Sequence, residues 1–185
     1  MMTSSASTSA PMSKGRMILS AILLMLILCN MAMISFFSSE PREASGDRSE
    51  GVTQTVVSVV VEEFEQLPQH EQQAKINEFH PIIRKIAHFS EFALLGCLCG
   101  AFMFALGRGK YWLCWVCPAA ICLAYAIFDE VYQIFTNRGP AVTDVLIDFS
   151  GSLAGLVLIH LAMLAAREIQ VKRRGAATCE PPRTA

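Results

Sequence analysis

The chain has 185 residues, of which 53% are hydrophobic and 17% are charged, and its formal net charge is −1. So high an apolar fraction with so few charges excludes an ordinary soluble domain and indicates an integral membrane protein. Because no basic run interleaved with aromatic residues lies within the apolar part of the chain, nucleic acid is not an expected partner.

The N-terminal part predicts a membrane anchor. Residues 1–16 are rich in Ser, Thr and Ala, end in a basic segment and are predicted to be a disordered cytoplasmic N-terminus. Residues 17–37 contain no charged side chain, and about 20 such residues can cross a membrane core of about 30 Å. A signal peptide would show a similar pattern, but this apolar stretch is long and the small-residue site near Ala32 is poor.

Residues 38–84 are predicted to lie outside the membrane, first as a polar linker and then as amphipathic helices. Val56, Val60 and Phe64 recur at helical spacing, and most neighbouring carboxylates fall elsewhere on the helix. A second short helix is predicted over 69–79, with Pro81 in the first turn of the following helix. These helices either lie along the membrane surface or pack as a small cap on their own loop.

Three further apolar runs predict membrane spans at 86–106, 111–128 and 144–165, within a membrane core placed at 85–166. Most of the seven cysteines lie in apolar runs, where they are expected to be small buried hydrophobes. A disulfide framework would instead need paired cysteines in polar loops.

The basic residues predict the orientation. In a four-span arrangement they fall on one side, at Lys14, Arg16, Arg108, Lys110 and in the tail over 167–185. Since lysine and arginine accumulate in cytoplasmic flanks and loops, both termini are predicted to be cytoplasmic. The predicted fold is therefore all-α, a multi-pass cell-membrane protein with four transmembrane helices and an extracytoplasmic helical segment between the first two.

Polar residues gather at the outer ends of the second, third and fourth spans in this topology. They are Lys85, His88, Glu91, Asp129, Glu130, Gln133, Arg138, Asp144 and Asp148. An unpaired charge within the membrane costs about 2.5 to 3.5 kcal/mol even on the lenient insertion scale. We therefore predict that these residues form one site. In the alternative interpretation, they only snorkel or form salt bridges that tie the rim of the bundle together.

The residue types suggest roles within such a site. A histidine beside carboxylates can act as a general base, so His88, Glu91 and Glu130 are the catalytic candidates. The substrate-binding candidates are Lys85, Asp129, Gln133, Arg138, Asp144 and Asp148. The sequence does not decide between catalysis and binding. Histidine with carboxylates could also hold a divalent metal, but no His-x-x-x-His or similar spacing occurs, so no metal or other cofactor is expected.

Two glycines of the fourth span predict close helix packing. Gly151 and Gly155 form a small-residue stripe in register with Asp144 and Asp148. This register should point Asp148 into the bundle. His160, deeper in the same span, is interpreted as a lone packing histidine.

Two segments resemble the VanZ-like family. They are KIAHFSEFALLG at 85–96 and DEVYQIFTNRGPAVTDVLIDFSGSLAG at 129–155, and the resemblance covers about residues 34–160. Phe92 stands where the family commonly shows tyrosine, and Asp148 where it shows asparagine. The resemblance implies a multi-span protein, and the family takes its name from an accessory protein of glycopeptide (teicoplanin) resistance. The biochemical activity of most members is undefined.

The expected function combines the resemblance with the predicted outer site. It is to act on, or bind, a cell-envelope lipid or cell-wall component at the outer leaflet, with the link to antibiotic resistance that the resemblance implies. The expected partner is a membrane lipid or an envelope precursor. A structural or interaction protein and a small transporter are the alternatives, and neither the ligand nor the oligomeric state is predicted.

Overall fold

The computed structural model describes residues 12–39, 42–107, 111–135 and 142–178, and of residues 42–50 and 175–178 only the backbone. These residues form α-helices, one short 3-10 turn at Phe64–Gln66 and connecting turns, with no strand among them. The helices are α1 (Lys14–Ser39), α2 (Arg42–Val60), α3 (Gln69–Leu106), α4 (Leu113–Ile134) and α5 (Val142–Thr178).

Among the described residues, four helices are long and apolar enough to cross a membrane: α1, α3, α4 and α5 as far as Arg174. Many of their large apolar side chains face outward, as expected for surfaces that contact lipid. The prediction of an all-α protein with four membrane-spanning helices is thus confirmed. The placement of α2 and the first turns of α3 outside the membrane stays a prediction.

The closest packing in the bundle is between α3 and α5. A Cβ atom added at Gly151 would collide with the backbone carbonyl of Phe89, and one at Gly155 with that of Ala93. From the other side, Gly96 of α3 lies against the carbonyl of Ser152. Glycines on both helices therefore bring the two backbones into direct contact.

The bundle has two chemically different ends. At one end, which we call the polar end, α4 ends at Ile134 and α5 begins at Val142. Helix α1 also reaches this end, where Oγ of Ser38 donates a hydrogen bond to Asp129. We call the opposite end the basic end, where Nε of Arg16 donates to the carbonyl of Ala105 at 3.0 Å. A core that includes Ile34, Phe92, Leu95 and Cys122 lies between the two ends.

The segment before the second span differs from the predictions in two ways. Helix α2 begins at Arg42, within the stretch where turn residues predicted a linker. Helix α3 runs without a break from Gln69 to Leu106, so Pro81 lies inside it and does not start a new helix. A small apolar cluster of Val57, Phe64 and Ile76 holds the first turns of α3 against α2, and this packing outweighs the backbone hydrogen bond that proline removes.

Candidate functional site

Asp129 of α4 is the most enclosed of the charged residues at the polar end, with none of its surface exposed. Its Oδ2 atom accepts one hydrogen bond from Ser38 Oγ of α1, at 2.8 Å, and one from Gln133 Nε2, at 3.0 Å. Its Oδ1 atom is buried and has no hydrogen-bond partner in the part of the chain that the structure describes. One oxygen of this carboxylate is therefore fixed and the other is available.

Helix α3 brings a histidine and a cation to the same end. Nδ1 of His88 lies 4.0 Å from Oε2 of Glu91, and each side chain is about one-fifth exposed. Nζ of Lys85 lies 3.9 Å from Oδ1 of Asp144, at the start of α5. The second contact connects α3 and α5 at the polar end, and the backbones of the two helices touch further along.

Three helices converge on one point. His88 of α3, Asp129 of α4 and Asp148 of α5 each offer one nitrogen or oxygen atom, and these atoms lie within 4.8 Å of one another. Asp148 is 3% exposed, so its carboxyl group points into the bundle and not toward lipid. Glu91, Glu130 and Asp144 are near enough to interact electrostatically with it. We call His88, Asp129 and Asp148 the three-helix cluster.

A narrow cleft of about 10 Å³, room for roughly one water molecule, adjoins the three-helix cluster. Its lining is formed by Arg84, Lys85, His88, Gln133, Asp144, Ile147 and Asp148. The cleft combines two cationic side chains with carboxylates and a histidine. Such a lining can hold an anionic group near the cations while the histidine and carboxylates exchange protons.

The structure brings together most of the residues that the sequence predicted. Five of them line the cleft, namely Lys85, His88, Gln133, Asp144 and Asp148. Asp129 and Glu130 are buried beside it, and Glu91 lies next to His88. Arg138 lies outside the described residues.

Sequence reasoning missed two residues of this site. Arg84 lines the cleft, and the only signal for it was its position beside Lys85. Ser38 donates a hydrogen bond to Asp129, whereas the sequence pattern had placed Ser38 in the linker after the first span. Its position at the end of the first span, on the same predicted side as the other site residues, was a usable signal.

Two further residues of interest do not belong to the cleft. Phe92 is fully buried and packs against Tyr125, with ring centroids 6.0 Å apart, so it is part of the core beneath the site. His160 stacks on Trp115 with a centroid separation of 3.8 Å, and its Nδ1 lies 2.8 Å from the carbonyl of Leu156. These surroundings are those of a packing residue.

Comparison with known families gives one match over most of the chain. A family model described as VanZ/LLP1 matches residues 23–163. This range includes Ser38, the three-helix cluster and the described lining of the cleft. Comparison with curated proteins and with solved structures gave no match.

Proposed function

For this chain, which belongs to the VanZ/LLP1 family of membrane proteins, we propose that the cleft binds the polar headgroup of a cell-envelope lipid or of a lipid-linked cell-wall precursor. The observation that carries the proposal is the cleft itself. It lies at one end of a membrane bundle, where a headgroup would be found, and its lining includes both Arg84 and Lys85.

The headgroup chemistry that best matches the charges of the lining is a phosphate. Arginine binds phosphate through paired N–H donors, and lysine adds a point charge. The opposing carboxylates of Asp144 and Asp148 would orient hydroxyl or amino groups carried by the same headgroup. A purely apolar ligand would remove water from the charged side chains of the cleft without replacing its hydrogen bonds, which is energetically costly.

We place the polar end at the outer face of the membrane. The opposite end carries Arg16 and, after the last apolar turns of α5, a basic segment that includes Arg167, Lys172 and Arg173. Positive residues of this kind mark the cytoplasmic side. An outer headgroup site would also connect the protein to susceptibility to antibiotics that act on the cell wall.

Lipid binding to the purified protein in nanodiscs tests the proposal. The double substitution of Arg84 and Lys85 by alanine should weaken binding of a phosphate-bearing envelope lipid by at least about 10-fold, because both charge-assisted contacts are lost. Alanine at Arg173, which is exposed in the tail, serves as the matched control and should change nothing. Equal binding by a folded double variant would contradict the proposal.

The same experiment separates an enzyme from a binding protein. An enzyme would use His88 with Glu91 or Glu130 as acid and base, so mass spectrometry would recover a chemically altered lipid from the parent chain but not from His88→Gln. A binding protein would return the lipid unaltered from both.

A structural function is the second candidate, and two contacts favour it. The contact between Lys85 and Asp144 joins α3 to α5, and the hydrogen bond between Ser38 and Asp129 joins α1 to α4. If these groups serve only to hold helices together, the double alanine variant will lose thermal stability in detergent while lipid binding per folded molecule stays unchanged.

A further inference from the structure

We propose that the three-helix cluster of His88, Asp129 and Asp148 binds one divalent transition-metal ion of the Mn²⁺ or Zn²⁺ kind. The candidate ligand atoms come from three different helices and lie within 4.8 Å of one another. Ligand atoms about 2.0–2.2 Å from a shared ion lie roughly 3–4 Å apart, so small side-chain movements would complete the site. Ligand spacing along one helix could not reveal a site of this kind.

The burial of the two carboxylates is the second, independent argument. Asp129 is 0% exposed and its Oδ1 atom has no hydrogen-bond partner within the described residues, while Asp148 is 3% exposed. A buried carboxylate oxygen without a partner is costly, and two neighbouring buried carboxylates repel each other. One dication bound between them would satisfy the free oxygen and cancel both charges.

The surroundings of the cluster resemble the outer shell of a metal site. Ser38 and Gln133 both donate to Oδ2 of Asp129, which fixes the carboxylate and leaves Oδ1 as the available ligand atom. The carboxylate of Glu91 lies 4.0 Å from Nδ1 of His88, so a side-chain movement of about 1 Å would let it accept a hydrogen bond from the imidazole. Metal-bound histidines are usually oriented by a carboxylate or carbonyl in this manner.

The type of donor selects the type of ion. One imidazole with two carboxylates suits Mn²⁺, Fe²⁺ or Zn²⁺, whereas Ca²⁺ and Mg²⁺ favour sites made of oxygen atoms alone. His88 and Asp148 also line the cleft, so an ion bound to them would lie beside it. An ion so placed would contact a phosphate in the cleft, and this last step rests on the proposed function.

Mn²⁺ titration of the purified, EDTA-treated chain in detergent tests the metal site. Electron paramagnetic resonance follows the loss of the free Mn²⁺ signal, and Zn²⁺ is then added as a competitor. The parent chain should bind one Mn²⁺ ion, and Asp148→Asn and His88→Ala should weaken its binding by at least about 10-fold, because each removes a ligand. Glu78→Gln, which removes one negative charge from an exposed position of α3 away from the cluster, is the control and should bind as the parent does.

Two outcomes would overturn the proposal. One is the absence of saturable Mn²⁺ or Zn²⁺ binding to the folded parent chain. The other is an equal loss in Glu78→Gln and Asp148→Asn, which would indicate nonspecific attraction of the cation to the chain's negative charges. Thermal melting without metal verifies that each variant folds, and Asp148→Asn has nearly the shape of the parent residue should His88→Ala fail to fold.

The role of the metal is tested separately from the proposed function. Phosphate-lipid binding is measured in nanodiscs with Mn²⁺ and again with EDTA. Equal lipid binding with Mn²⁺ and with EDTA would support the proposed function and contradict a metal ion that links the lipid phosphate to the three-helix cluster. Metal binding in a chain that binds no lipid would keep the metal site and reject the proposed function.

Discussion

Ser38 shows how a single hydroxyl group can determine the geometry of the site. It is fully buried at the end of α1 and donates to the Oδ2 atom of Asp129. Sequence reasoning found Asp129, because a carboxylate between apolar runs is conspicuous, but it assigned Ser38 to a linker. Serine is common in linkers and in helices alike, and only the register between α1 and α4 shows which serine meets the carboxylate.

Ser38→Ala should lower the free energy of unfolding by about 1–3 kcal/mol, because a buried acceptor loses one of its two donors. The measurement is the thermal unfolding midpoint in detergent. Ser39→Ala provides a matched control, since Ser39 donates to the carbonyl of Phe36 at an exposed position, and its midpoint should be unchanged. Equal midpoints for the two variants would show that the Ser38 hydrogen bond contributes nothing.

At the scale of the helices, regular spacing was informative and isolated residues were not. The spacing of Asp148, Gly151 and Gly155 predicted a common inward face, and in the structure Asp148 is buried while both glycines lie against α3. Pro81, by contrast, predicted a helix start that the structure does not contain. A pattern of several residues indicates which surface of a helix packs against its neighbours, whereas one proline indicates only the backbone conformation preferred at its own position.

Gly155→Ala should destabilise the bundle by about 1–3 kcal/mol, because its Cβ would collide with the backbone carbonyl of Ala93, which cannot move without shifting α3. Thermal unfolding in detergent measures this change. Gly51→Ala in α2 is the control, since nothing lies within 4 Å of the added atom and alanine favours a helix there. A Gly155→Ala variant as stable as the parent chain would mean that α3 and α5 separate easily.

At the scale of the whole molecule, composition predicted the membrane class, and the lengths of the apolar runs predicted the number of spans. Hydropathy and length depend on many residues at once, so these predictions tolerate local errors. The grouping of His88, Asp129 and Asp148 depends instead on how three helices rotate against one another, which no spacing within one helix reveals. The site was therefore predicted as a region at one end of the bundle, and its internal contacts were not.

Orientation in the membrane is the prediction at this scale. Because Arg16, Arg167, Lys172 and Arg173 flank the basic end, that end is predicted to be cytoplasmic, and a fluorescent-protein fusion at the C-terminus should fluoresce. An alkaline phosphatase fusion at Gly51 should be active, as expected outside the cytoplasm. The opposite pair of results would place the cleft at the inner face and remove the link to outer-leaflet lipids.

The tight contact between α3 and α5 has a consequence for biosynthesis. These helices are not neighbours along the chain, since α4 lies between them. While the ribosome is still producing α5, the face of α3 that carries Gly96 lacks its partner, and Asp148 is missing from the three-helix cluster. The three-helix cluster therefore cannot assemble before α5 has been inserted, and a nascent chain that stalls before α5 lacks Asp148.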